Sequence, residues 1–71
     1  MNEEVFNLEL RKFLKRFGVT AQGEIEKAVD GALKNRALLG NEVLKVHATL
    51  AIPGVLPELH IDGEIGLEGS R

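Results

Sequence analysis

Two histidines, His47 and His60, are the side chains whose ordinary pKa best suits chemistry near neutral pH. They occupy polar positions of an alternating pattern, together with Thr49, Asp62 and Glu64. In the hairpin register that the pattern predicts, His47 lies across from Glu64, and Thr49 lies across from Asp62. These side chains are of types that bind metal ions, but their spacing matches no specific ligand set. Polar cross-strand pairs on a solvated face explain them equally well, so we expect no metal site.

Other catalytic chemistry has few candidate residues. The chain has no Cys and no Tyr, and its single Ser is in the C-terminal tail. General acid–base catalysis needs a carboxylate whose pKa is shifted by burial, and the predicted apolar stripes carry none. No glycine cluster has the spacing of a phosphate-binding loop. We therefore expect a protein that is not an enzyme and that binds no cofactor.

Length and composition limit the possible architectures. A chain of 71 residues allows one domain, predicted over 1–71, which would bury only about 60% of the surface of its unfolded chain. Without cysteines, oligomerisation is the usual way to stabilise so small a core, and a homodimer is expected. The formal charge of −2 argues against bulk binding to nucleic acid or anionic membranes. No apolar run approaches the ~20 residues of a membrane span, and no signal peptide is recognisable, so a cytoplasmic location is expected.

The N-terminal half predicts two helices. The first covers about 3–17, with Asn2 as its N-cap and Gly18 as a left-handed residue after its C-terminus. Thr20 then caps a second helix over about 21–35, which ends near Asn35. Apolar residues at helical spacing give each helix one stripe: Phe6, Leu10, Phe13, Leu14 and Phe17 in the first, and Ile25, Ala28, Val29, Ala32 and Leu33 in the second.

The C-terminal third predicts an antiparallel β-hairpin with one apolar face. Strands are expected at about 43–52 and 58–67, joined by a loop from Pro53 to Pro57. We expect Ile52 to face Leu59 across the strands, and Ala48 to face Gly63. The fold class is therefore α+β of the order ααββ, with both helices packed on the hairpin and a four-stranded sheet if two hairpins pair in a dimer.

Four apolar residues lie outside the predicted core and form the candidate interface. They are Val5, Leu8, Val55 and Leu56, the last two at the predicted loop tip. Contiguous apolar patches mark interfaces more often than single exposed side chains do. The leading functional interpretation is a non-enzymatic interaction or accessory protein that binds itself or a protein partner.

Nucleic-acid binding is the alternative function. The first helix carries the candidate basic surface, which consists of Arg11, Lys12, Lys15 and Arg16. The helix that would enter the groove carries Glu24, Glu26 and Asp30, and no aromatic residue is left for base stacking. Pairing of Lys12 with Glu9 on a solvated face accounts for part of the basic surface.

Four parts of the chain carry a family resemblance: the run RKFLKRFGVTAQGEIEKAV, the segment from Leu39 to Glu42, the hairpin and the ending HIDGEIGLE. Through them, nearly the whole chain resembles a family of short bacterial proteins of unknown function. It implies a complete small protein and supports the fold. The resemblance implies no substrate, cofactor or catalytic residue.

Overall fold

The computed structural model describes residues 1–69, so Ser70 and Arg71 of the predicted domain lie outside it. One helix, α1 (Glu3–Lys34), precedes two strands, β1 (Val43–Ile52) and β2 (Leu56–Gly66), which form an antiparallel hairpin. The α+β class and the C-terminal hairpin are confirmed, whereas the order of two helices is wrong. Contacts divide the chain into two compact units, one of residues 1–37 and one that begins at Leu38. That the chain forms one domain stays a prediction, as does a four-stranded sheet made by two copies.

The N-terminus of α1 is capped as the sequence predicts. Asn2 has an extended backbone conformation, and its side-chain Oδ1 accepts a hydrogen bond from the Val5 N–H at 3.0 Å. This bond satisfies one of the amide groups that the first helical turn leaves without an intrahelical acceptor. Glu3 and Glu4 lie in the same turn, where the helix dipole favours negative charge.

α1 runs without interruption through Gly18 and Thr20, where the sequence predicts a break and a new cap. An interior glycine costs a helix only about 1 kcal/mol relative to alanine, whereas a second helix must be nucleated again. The apolar positions also continue across the glycine, from Phe17 to Ala21 and Ile25 at intervals of four residues. Continuing the helix is therefore the less costly local choice.

The C-terminus of α1 is a Schellman motif centred on Arg36. The Ala37 N–H donates to the Ala32 carbonyl at 2.8 Å, and the Arg36 N–H donates to the Leu33 carbonyl at 3.2 Å. Arg36 holds the left-handed position, with φ of 67°, and Asn35 is the C-cap. The helix therefore ends close to the predicted position near Asn35, and the left-handed residue is Arg36, one residue later.

Glu42 organises the segment that leads into the hairpin. Its carboxylate accepts hydrogen bonds from the Leu39 N–H at 2.9 Å and the Gly40 N–H at 3.0 Å. These two bonds stabilise the ionised carboxylate and lower its pKa below the ordinary value of 4.5. The Glu42 carbonyl accepts from the Leu67 N–H at 3.0 Å, which ties the two ends of the hairpin together.

The hairpin is closed by a shorter turn than the sequence predicts. The Val55 N–H donates to the Ile52 carbonyl at 2.9 Å, with Pro53 and Gly54 between them. Gly54 has φ of 80°, so the four residues have the arrangement of a type II turn, in which proline precedes a glycine of positive φ. β2 consequently begins at Leu56, two residues before the predicted start, while β1 has the predicted bounds.

The shorter turn moves the register by two residues from the predicted one. Leu59 pairs with Leu50 instead of Ile52, which pairs with Leu56 beyond an irregularity in the ladder. Likewise Ala48 faces Ile61, and Gly63 faces Val46, so the predicted shallow position between Ala48 and Gly63 is absent from this ladder. Because side chains alternate with period two, every one keeps its predicted face.

No residue among those that the structure describes is buried. The stripe of α1 illustrates this, since the Phe6, Phe13 and Phe17 side chains are each about half exposed. On the hairpin, Leu44, Val46, Ala48 and Leu50 are half-buried, and Ile61 remains exposed. The apolar side chains that the sequence assigns to a core thus keep much of their surface accessible.

Candidate interaction surfaces

The apolar stripe of α1 contains an open groove near the middle of the helix. Phe13 and Phe17 lie one turn apart with ring centroids separated by 6.4 Å and an interplanar angle of 19°. The groove beside them is lined by Phe13, Arg16, Phe17, Thr20 and Ala21. Offset-stacked rings with accessible faces offer a large apolar contact surface, with a cation at the rim. Because the groove crosses the predicted break, an expectation of two helices cannot reveal it.

The structure separates the four residues of the candidate interface between the two units. Val5 and Leu8 lie in the first turns of α1, and each is a little more than half exposed. Val55, in the turn of the hairpin, is 78% exposed, as the sequence predicts. Leu56 differs from its prediction, because it is half-buried and paired with Ile52 at the start of β2.

The candidate basic surface lies on the N-terminal half of α1. Arg11, Lys12 and Lys15 are exposed, and Arg16 lies at the rim of the groove. The Lys12 ammonium is 3.6 Å from the Glu9 carboxylate, which is the pairing that the sequence predicts. Exposed pairs of this kind contribute a few tenths of a kcal/mol to the stability of a helix.

The polar face of the hairpin carries both histidines in separate pairs. His47 donates from Nδ1 to the Asp62 carboxylate at 2.9 Å, so the predicted pairing with Glu64 is wrong. Thr49 pairs with His60 instead of Asp62, with Oγ1 and Nδ1 3.2 Å apart. In residues 1–69, no group of three or more histidines, cysteines or carboxylates is placed to hold a metal ion.

His60 has a second polar neighbour. Its Nε2 lies 3.3 Å from the Glu58 carboxylate. Its Nδ1 lies 3.2 Å from the Thr49 hydroxyl, so the ring has a polar contact on each nitrogen. Glu58, His60 and Thr49 thus form an exposed chain of polar contacts that stabilises the hairpin register.

The apolar face of the hairpin is a second continuous hydrophobic surface. Leu44 faces Ile65, Ala48 faces Ile61, and Leu50 faces Leu59 across the strands. The β2 members of these pairs are between 36% and 58% exposed. Alternation in the sequence predicts this face correctly, although it predicts the partners wrongly.

Among the described residues, no helix combines the length and the apolar character that crossing a membrane requires.

Comparisons of the sequence with known proteins assign the chain to a family. Neither the curated proteins nor the solved structures contain one that matches this chain. A family model described as a family of unknown function, DUF6494, matches residues 1–68 and confirms the predicted resemblance at the level of the family. Because this match spans nearly the entire sequence, the chain belongs to that family.

Proposed function

We propose that this chain is a small interaction or accessory protein that acts without catalysis and associates as a homodimer. The observation that carries this proposal is the exposure of the apolar stripe of α1. A helix of 32 residues is roughly 48 Å long, and in proteins most helical stability comes from packing an amphipathic face against a partner. An exposed stripe of this length supports association with another chain.

The hairpin supports the same proposal independently. Two-stranded sheets are marginally stable in water, and this one has an apolar face that remains accessible. Its polar face carries side chains that pair with one another across the strands. Recognition by apolar contact therefore fits this unit better than chemistry at the histidines. We include in this proposal the cytoplasmic location that the sequence predicts.

The candidate interface can serve self-association or a protein partner. Val55 is the most exposed of its four residues, and it lies in a turn in which Asp is readily tolerated. Light scattering on a Val55→Asp variant distinguishes the two roles. A shift toward monomer supports a role of the turn in the homodimer, whereas an unchanged mass contradicts that role and removes Val55 from the dimer interface. Leu56→Asp is a weaker probe, because Leu56 also packs in the hairpin.

Solution mass at two protein concentrations tests the proposal. We expect light scattering to give twice the chain mass of 7.8 kDa at high concentration, with dissociation on dilution. A monomer at both concentrations contradicts the homodimer.

The alternative, nucleic-acid binding through Arg11, Lys12, Lys15 and Arg16, predicts an affinity that falls steeply as salt rises. Absence of binding to duplex or single strands at low salt removes that alternative.

A further inference from the structure

The apolar stripe of α1 has a spacing that is the same in both directions. Its central positions are separated by 4, 3, 4, 4, 4, 3 and 4 residues. They are Phe6, Leu10, Phe13, Phe17, Ala21, Ile25, Ala28 and Ala32. If the helix is turned end over end about residue 19, the stripe positions therefore coincide with the original ones, although different residue types then occupy them.

We propose that a second copy of this chain packs antiparallel along the stripe, with a two-fold axis perpendicular to α1 at residue 19. The proposal rests on the proposed function and names the surface and the geometry of the homodimer. In an isologous pair, each position meets the one equally far from the axis on the other side. Phe17 then meets Ala21, Phe13 meets Ile25, and Leu10 meets Ala28 of the second copy, with Phe6 and Ala32 at the ends.

Side-chain size favours this direction over the parallel one. All three phenylalanines of the chain lie in the N-terminal half of the stripe, and all three alanines of the stripe lie in its C-terminal half. Antiparallel packing sets a large residue against an alanine in three of the four pairs, which lets the two helices approach closely at those positions. Parallel packing in register would set each phenylalanine against its own copy and leave alanines facing alanines.

Charge favours the same direction. Residues 11–16 carry four basic side chains and no acidic one, whereas residues 22–27, equally far beyond residue 19, carry two carboxylates and one lysine. Antiparallel packing about residue 19 sets these segments opposite each other, while parallel packing sets each against its own charge. The antiparallel arrangement is therefore the one in which the charges of the two segments attract.

One charged pair agrees with the axis to within two residues, about 3 Å along the helix. Arg16 lies opposite Glu24 of the second copy on one flank of the stripe. A two-fold axis perpendicular to the helices keeps equivalent flanks together, so this pair occurs twice. Arg16 also lines the observed groove with Phe13 and Phe17, next to the axis, where Glu24 of the second copy would reach it.

Engineered cysteines test the direction in a chain that has none of its own. In the full-length protein, the Leu10→Cys/Ala28→Cys double variant is treated with a short bifunctional maleimide and analysed by mass. Because both sites lie on one helix, roughly 27 Å apart at 1.5 Å per residue, the reagent cannot join them within a chain. We expect most of the double variant to appear as a species of twice the 7.8 kDa chain mass.

Two sets of controls fix the geometry. The single variants Leu10→Cys and Ala28→Cys should stay uncoupled, because antiparallel packing separates each site from its own copy. The matched control, Lys12→Cys/Glu26→Cys, is also equidistant from residue 19 but lies on the opposite face of the helix. It should give at least ~10-fold less coupled product than the double variant on the stripe. Circular dichroism checks that each variant keeps its helix.

Each contrary result has a distinct meaning. Coupling of the single variants shows parallel packing and overturns the inference. A wild type that is dimeric by light scattering, with no coupling at Leu10 and Ala28, overturns the inference but leaves the proposed homodimer intact. A wild type that is monomeric at both concentrations overturns both the inference and the proposed homodimer.

Discussion

Phe13 and Phe17 stack on α1 with ring centroids 6.4 Å apart, and both side chains remain about half exposed. This arrangement is the local basis of the association that we propose for the helix. Residues four apart lie on one face, so the two rings form a single apolar surface at the groove. Water contacts this surface in the isolated chain, and a partner that displaces the water gains about 25 cal/mol for each Å² that it covers.

Phe17→Asp should weaken the homodimer most strongly of the single changes on the stripe. Loss of the ring removes roughly 2 kcal/mol of apolar burial, and a carboxylate beside the axis adds a desolvation cost. The dissociation constant should rise at least ~30-fold, measured by sedimentation over a dilution series. Val19→Asp is the control, because Val19 is 64% exposed on the opposite face and should leave the constant nearly unchanged. Equal effects of both variants would contradict the assignment of the stripe.

Reversal of the charge at Arg16 should weaken the homodimer, and a second reversal at Glu24 should restore it. Arg16→Glu sets a glutamate against Glu24 of the other chain in each of the two symmetric pairs. The dissociation constant should therefore rise about 3- to 10-fold at low salt. The Arg16→Glu/Glu24→Arg variant exchanges the two signs and should recover most of the affinity. Arg16 and Glu24 are two helical turns apart in one chain, which makes their coupling intermolecular. If the effects of the two changes on the dissociation free energy were simply additive, they would argue against contact between Arg16 and Glu24.

Gly18→Ala should stabilise the protein, because α1 continues through this position. A β-carbon at Gly18 meets no atom within 4 Å, and alanine favours a helix by up to about 1 kcal/mol over glycine. Had Gly18 been the left-handed end of a first helix, the same change would destabilise the fold. Gly54→Ala is the control, since Gly54 has φ of 80° and alanine there should lower the free energy of unfolding. Thermal or urea unfolding measures both changes.

Acid should release the loop that Glu42 holds. Because its folded pKa is lowered, the ionised side chain contributes stability that is fully present above the ordinary carboxyl pKa. That contribution is lost as the pH falls through the lower folded value. The Leu39 and Gly40 amide signals in NMR should follow this titration, with a midpoint below 4.5. Glu42→Gln should abolish the pH response of both amides, and a midpoint at or above 4.5 would contradict the lowered pKa.

The sequence predicts several features that depend on near neighbours. Asn2 caps α1, Lys12 pairs with Glu9, and β1 has the expected bounds, because each of these depends on residue types a few positions apart. Alternation places each side chain on the correct face of the hairpin, since the period of a strand is two. The spacing also identifies the apolar residues of the stripe that we propose as the dimer interface, although it divides them between two helices and assigns them to a core.

The break at Gly18 and the hairpin register could not be obtained in this way. A glycine is acceptable both inside a helix and just after one, and the difference of about 1 kcal/mol is decided by whether the stripe continues beyond it. A register shift of two residues preserves every face, so alternation cannot detect it. The turn hydrogen bond from Val55 to Ile52 decides the register, and with it the partners of His47 and His60. The sequence by itself thus determined which faces are apolar. The folded backbone decided that one 32-residue helix carries the stripe, because hydrogen bonds and continuous packing surfaces are properties of the whole element.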